Sequence, residues 1–197
     1  HTAYRRQRQM CIRDRSNVHI FPINDEENGK PIYGEAIVFK GAVNLSLDVE
    51  GDNNDFYADD IPYYNVFANN GYSGDLEMAI VTDEFRTKIL GFEEDANGAI
   101  IENIDAQPKN FAMAFEFKGD KNKVRRLYYN VSASRPSDNH GTVTETVEPE
   151  TETINIKAIP RTDTGDINAK LEEGQTGYDA FYEKPYEKKE KVARGDQ

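Results

Sequence analysis

The chain of 197 residues has no tryptophan and a single cysteine, Cys11. That cysteine sits in an arginine-rich leading segment, so residues 16–197 offer neither a disulfide nor a cysteine-ligated zinc site. A cysteine-free body suits synthesis in the cytosol. Long apolar runs are missing too. The longest cover a handful of residues, far short of the ~20 that span a bilayer as a helix. Histidine is scarce, and beyond the leading segment only His19 and His140 occur, in no zinc-binding or triad spacing. There is no Walker loop and no G-x-G-x-x-G turn to cradle a phosphate. Positive charge is in deficit, with a net charge of −12.

The first fifteen residues run against that balance. Arg5, Arg6, Arg8, Arg13 and Arg15 face Asp14 alone, a net of +4, which leaves −16 for residues 16–197. The run Arg5-Arg6-Gln7-Arg8-Gln9-Met10-Cys11-Ile12-Arg13-Asp14-Arg15 resembles translated sequencing-adapter read-through. We read 1–15 as a non-native, disordered segment outside the fold. The competing reading is a basic arm for nucleic acid. No apolar stretch follows the arginines, so the segment lacks the form of a secretory signal. A body near −16 argues against gripping phosphates. It fits a surface that repels DNA, or one that simply stays soluble.

Aromatics are abundant, with 11 Tyr and 10 Phe, and supply much of the core in a chain only 37% hydrophobic. From Ser16 the apolar period is mostly two, the mark of half-buried strands. Val43, Leu45, Leu47 and Val49 alternate with Asn44, Ser46 and Asp48. Tyr72, Gly74, Leu76, Met78 and Ile80 share one face of another strand. Phe111, Met113, Phe115 and Phe117 share a face opposite Ala112, Ala114 and Glu116. Leu127 to Val131 is β-rich after a Gly119-Asp120 turn, and Ile154, Ile156 and Ala158 alternate with Thr153, Asn155 and Lys157. Weaker strands are expected over 18–23, 32–39 and 97–102. One helix follows Thr82, which caps it. Asp83 and Glu84 complement the N-terminal dipole, Phe85 and Ile89 face inward, Lys88 sits near the end and Gly91 stops it. So short a helix is marginal alone and must pack on the sheet.

Residues 50–71 mix Phe56, Tyr57, Ile61, Tyr63, Tyr64 and Phe67 with aspartates and asparagines. They form either a long projecting hairpin or an ordinary strand pair whose aromatics fill the core. After Pro160 the composition shifts. Residues 161–176 read as loop or linker, Tyr178 to Tyr186 as an aromatic segment that docks on a neighbouring surface, and 188–197 as a frayed tail. The domain plan is thus a 16–160 β-sandwich followed by a 161–197 extension, partly docked.

Catalytic constellations do not emerge. Gly71-Tyr72-Ser73-Gly74-Asp75 approaches a nucleophile elbow but ends on Asp75, where that motif needs glycine; a strand-entry turn explains it. Asp52-Asn53-Asn54-Asp55 offers oxygen ligands without the twelve-residue calcium loop, so a solvated acidic turn is the better account. Glu145, Glu148, Glu150 and Glu152 crowd four carboxylates with nothing to set their separation. They suit a charged strand edge better than a hydrolytic pair. We expect no enzyme, no catalytic residue, no metal and no cofactor.

Several blocks resemble the phi13-like major tail proteins of long-tailed bacteriophages. They are Gly41 to Leu47, Phe56 to Asp60 with Tyr63-Tyr64, Asn70 to Gly91, Pro108 to Phe117, Tyr129-Asn130-Val131 with Ser134-Arg135-Pro136, Glu150 to Ile154, and Tyr178 to Tyr186. Their order and spacing carry the resemblance from Ser16 to about Tyr186; the N-terminus departs from it. The resemblance implies a mainly β fold with one short α-helix, two packed antiparallel β-sheets in a sandwich- or barrel-like arrangement flanked by the helix. It also implies a structural virion protein located in the tail, and in the host cytoplasm during assembly. Hexameric rings of the chain would stack into a tail tube that passes phage DNA without binding it specifically and touches no membrane. Its other partners would be the tape measure and tail terminator proteins. On this reading Phe56, Tyr57, Tyr63, Tyr64, Phe67, Tyr72, Phe181 and Tyr182 are inter-subunit contact candidates, and Gly71 and Gly74 shape a turn at an inter-subunit surface. The alternative is a monomeric β-sandwich module of carbohydrate-binding or adhesin type.

Overall fold

The structure, a computed structural model, describes residues 17–51, 53–58, 61–67, 69–116, 122–137 and 151–189, with backbone alone for 53–58 and 61–67. The leading segment 1–15 with Cys11, the Gly119-Asp120 turn, Phe117, His140, Glu145, Glu148, Glu150 and the end of the tail lie outside the described residues, as do Asp52, Asp59 and Asp60.

Thirteen strands and one short α-helix make up the described chain. In order they are β1 Val18–Glu27, β2 Lys30–Tyr33, β3 Ile37–Phe39, β4 Ala42–Glu50, β5 Asn53–Ala58, β6 Ile61–Phe67 and β7 Gly71–Met78. After α1 Asp83–Lys88 come β8 Glu93–Glu94, β9 Ile100–Ile101, β10 Phe111–Glu116, β11 Arg125–Ala133, β12 Glu152–Ala158 and β13 Asn168–Leu171. A 3-10 turn, Asp179–Tyr182, follows. Nine strands form one antiparallel sheet in the order β2-β1-β10-β11-β12-β7-β4, with β3 added to β1 and β13 to β11. The pairs β5-β6 and β8-β9 are separate antiparallel sheets. The fold is mainly β, sandwich-like, with a single short helix on its flank.

Two strands change partner along their length, and each change has a local cause. β1 pairs with β3 through Val18–Ile20 and with β2 through Ile23–Glu27. Between them Pro22, which has no N–H, accepts from Gly34 N at 2.7 Å and offers nothing in return. The single strand expected over 32–39 is therefore broken at 34–36. β11 carries a bulge, since Phe111 pairs with Val131 but Met113 with Tyr128. The extra residue puts both Tyr128 and Val131 on the same side. Beyond it β12 pairs with Val131–Ala133, and before it β13 pairs with Arg125–Tyr128. The stretch 161–176, expected as loop, thus contains a strand of the main sheet. β13 carries one buried apolar residue, Leu171, and owes its conformation to the free edge of β11.

β10 shows why the sheet needs cover on both faces. Phe111, Met113 and Phe115 enter the main core, while Ala112 and Ala114 enter a second cluster with Phe21, Leu127, Tyr129, Leu171, Tyr178 and Phe181. The helix closes the main core. Thr82 Oγ1 accepts from Phe85 N at 3.3 Å, and Gly91 takes φ +77° just past the end. Phe85 stacks on Phe39 at 4.7 Å and meets Phe111 edge-on at 5.9 Å. Burying that ring stabilises the fold by about 2–3 kcal/mol, which anchors a helix too short to persist alone.

Some expected faces shift. A bulge at Val43, where Ala42 pairs with Met78 but Asn44 with Glu77, sends Ala42 inward and leaves Val43 exposed. Leu45 is buried, and Val49 is exposed on the sheet edge. β7 ends at Met78, so Ile80 faces solvent instead of the core. Only Ile100–Ile101 of the strand expected over 97–102 is extended, in a hairpin whose turn is tied by Asp95 Oδ1 accepting from Asn97 N and Ala99 N, each at 2.8 Å.

Gly71 and Gly74 shape no surface turn. Gly74 is mid-strand, paired with Leu47 of β4 and Ile156 of β12. A Cβ there would lie 1.8 Å from Ser46 O, and one at Gly71 (φ +120°) 2.1 Å from Ala158 O. Their missing side chains let neighbouring backbones close in. Gly74→Ala is expected to push β4 outward at a cost of about 2–3 kcal/mol, lowering Tm by several degrees. A calorimetric Tm equal to that of the unsubstituted chain would contradict the close approach.

Candidate functional site

The outer face of the main sheet, opposite the core, is divided in two. Over β1, β10 and the first half of β11 it is apolar and covered by the C-terminal segment. Over β4, β7, β12 and the end of β11 it is polar, and no described segment lies over it. There the residues between the inward Leu45, Leu76, Ile154 and Ile156 are Ser46 and Asp48 on β4, Ser73, Asp75 and Glu77 on β7, and Thr153, Asn155 and Lys157 on β12. Asp48, Ser73, Asp75, Ser132, Asn155 and Lys157 line a shallow open depression on this surface.

The charge of this face is negative. Among the described residues Asp48, Glu50, Asp75 and Glu77 share the face with Lys157, whose Nζ meets Glu50 Oε2 at 2.7 Å. Lys157 first, and then Ser73, hold the Glu50 carboxyl below its ordinary value by hydrogen bonding. Glu77 Oε1 accepts from Thr151 Oγ1 at 2.7 Å. Asp48 and Asp75 are exposed acids on adjacent strands. Beside this face β4 ends the sheet, and among the described strands it pairs only with β7.

The covered half is held by two arginines. Arg161 is 4% exposed and lies in the loop that carries the chain from β12 to β13. Its Nε and Nη2 bind the two Asp163 oxygens at 2.8 and 2.6 Å, and Nη1 approaches Glu187 at 3.5 Å. The guanidinium lies 5.2 Å from the Tyr129 ring, beside the β11 bulge. Tyr129 donates to Tyr186 O at 2.8 Å and accepts at its own carbonyl from the Tyr33 hydroxyl. Burial pushes the Tyr129 phenol up to about 12, and it raises Tyr33 further. The second arginine, Arg125, sits between β11 and the 3-10 turn, 3.8 Å from the Tyr178 ring and 4.4 Å from that of Tyr182. Periodicity gave no sign of either arginine's role, because each is isolated in sequence from the segment it anchors.

The expected contact residues are scattered by the fold. Phe181 is 0% exposed in the chain's own second cluster, which removes it as a contact for another subunit: Phe21, Ala112, Ala114 and Leu127 need that ring to cover them. Tyr182 is half-buried, stacked on His19 at 4.3 Å. Tyr72 is half-buried against the main core, edge-on to Tyr128 at 5.4 Å. Phe56, Tyr57, Tyr63, Tyr64 and Phe67 lie on the β5-β6 hairpin, which among the described strands pairs only with itself.

Among the described residues no three His, Cys, Asp or Glu side chains are grouped to hold a metal ion, and no helix is long and apolar enough to cross a membrane. No protein-family model matches the chain, and no curated protein matches it either.

The Arg161 site is testable through its partners. Asp163→Ala is expected to cost about 3 kcal/mol by leaving a buried guanidinium short of charge, whereas Glu187→Gln, half-exposed, should cost under about 1 kcal/mol. Arg161 holds the Asp163 carboxyl below its ordinary value of 3.8, chiefly by hydrogen bonding. That contribution is complete above the unfolded value and is lost as pH falls through the folded one. Chemical denaturation at neutral and acid pH would check both: equal losses for the two variants, or a gap that widens on acidification, would contradict the assignment.

Proposed function

We propose that the chain is a structural subunit that builds a tube, a tail tube protein similar to the phi13-like major tail proteins. It works by assembly and conduction, without catalysis. The observation that carries the reading is the acidic, polar half of the sheet face, which no described segment covers, beside β4 at the end of the described sheet. A surface of this kind can line a passage through which a polyanion slides, because phosphates find few cations to grip. Ring closure uses the sheet edges of neighbouring copies in a head-to-tail contact, and stacking uses the β5-β6 hairpin. The chain would reside in the virion tail, contacting the tape measure and terminator proteins at the tube's two ends.

The alternative is a monomeric β-sandwich module of carbohydrate-binding or adhesin type, in which the aromatics of the β5-β6 hairpin would stack on sugar rings instead of on neighbouring copies.

Negative-stain microscopy of concentrated protein is expected to show rings or tubes about 10 nm across, the scale of six ~20 kDa subunits. A persistent monomer that binds glycans would replace this reading with the adhesin one. Within assembled tubes, Asp48→Lys with Asp75→Lys should leave assembly intact and add salt-sensitive DNA retention in a gel-shift assay. Tubes that ignore DNA after that change would remove these acids from the lumen.

A further inference from the structure

The C-terminal residues 178–187 lie as a strap across the apolar half of the outer face. Phe181 fills the space above Ala112 and Ala114, and Tyr178 donates to Lys123 O at 2.8 Å. At the strap's centre Tyr182 carries the imidazole of His19 stacked at 4.3 Å and the Arg125 guanidinium at 4.4 Å. Arg125 is itself committed. Its Nε donates to Glu116 Oε2 at 3.0 Å and its Nη1 to Tyr178 O at 2.5 Å. Tyr182 Oη donates to the same Glu116 oxygen at 3.3 Å. His19 Nδ1 is buried, and among the described residues no group pairs with it in hydrogen-bond geometry.

We propose that the strap is a pH-sensitive latch, held closed by neutral His19 and opened when His19 gains a proton. The groups that face His19 explain the direction. Among the described residues Arg125 comes from β11, Glu116 from β10, and Tyr178 and Tyr182 from the strap. Ala114 and Val38, its register partners on β10 and β3, are apolar. Glu116 already serves Arg125 and Tyr182. A proton on His19 therefore sets a second cation near Arg125, on a half-buried ring stacked against Tyr182, with the Asn17 backbone to accept from it. Burial lowers the imidazole below its ordinary value of 6.5; the Asn17 backbone opposes this and the Arg125 charge reinforces it. The open strap thus takes up a proton that the closed strap refuses. Docking is complete above pH 6.5 and weakens by up to about tenfold per pH unit below it, until the docked imidazole itself titrates.

The latch belongs to the single chain and does not depend on assembly. Hydrogen exchange read by mass spectrometry on the full chain tests it, comparing the unsubstituted protein with His19→Gln and His140→Gln at the same pH, so that intrinsic exchange cancels. Between about pH 7.5 and 5.5, peptides covering 178–187 should lose protection relative to His19→Gln, by the factor that the lowering of the docked imidazole sets. His140→Gln should follow the unsubstituted protein, and β4, β7 and β12 should keep their protection. Equal acid responses in the unsubstituted protein and His19→Gln, or opening of the strap only together with the whole sheet, would overturn the latch. If His19→Gln does not fold, NMR titration of the three imidazoles in the unsubstituted chain decides, with His1→Gln and His140→Gln giving the assignment. A His19 value below 6.5 supports the latch and a value at or above it overturns it.

Discussion

The alternation along β10 constrains everything around it. Phe111, Met113 and Phe115 demand a deep core on one side, and Ala112 and Ala114 leave a flat apolar surface on the other. A central strand buried on both faces needs two covers. The first comes from the helix, through Phe85 and Ile89, together with side chains from both ends of the sheet. The second comes from far along the chain, where Leu171, Tyr178 and Phe181 lie over the alanines. Small residues on that face let aromatic rings approach the backbone closely, so the strap lies tight against the sheet.

Among the described residues that second cover stops partway across. It ends where the β11 bulge hands the sheet from β13 to β12, and Arg161 sits at the junction beside Tyr129. On one side of the junction polar atoms are buried and must be satisfied within the chain. The two arginines do so through Asp163, Glu187, Glu116 and the Tyr178 carbonyl. Beyond it the strands present serines, asparagine and aspartates to the outside, in a sheet whose close approach of β4 to β7 is permitted by Gly74. The proposed conduit surface and the proposed latch are thus two halves of one sheet face, separated by a bulge.

Much of this was legible from local pattern. The helix was readable because its signals are contiguous: a threonine cap, two acids, an inward Phe85 and a stopping Gly91. β10 and β12 were readable because strict alternation survives where no bulge intervenes. β4 was half readable, since the bulge at Val43 shifts the register and no residue type announces it. β13 was missed because its polar sequence becomes a strand only by pairing with β11. Phe181 was misplaced as a contact for another subunit because an aromatic in a polar segment looks the same whether it docks on its own sheet or on a neighbour. For the acidic face, Asp48 and Asp75 could be assigned opposite the core from alternation alone, but not that the strap leaves this half of the face to other segments.

The sequence by itself determined the period-two strands, the one capped helix, the acidic balance and the inward or outward sense of most strand residues. These follow from interactions within a few residues of each other. Only the tertiary structure decided which outward face is covered, where β1 and β11 exchange partners, and which aromatics are spent inside the chain. Those outcomes depend on which distant segment reaches a given surface, and on the backbone approach that two glycines allow, and neither is encoded in any local pattern.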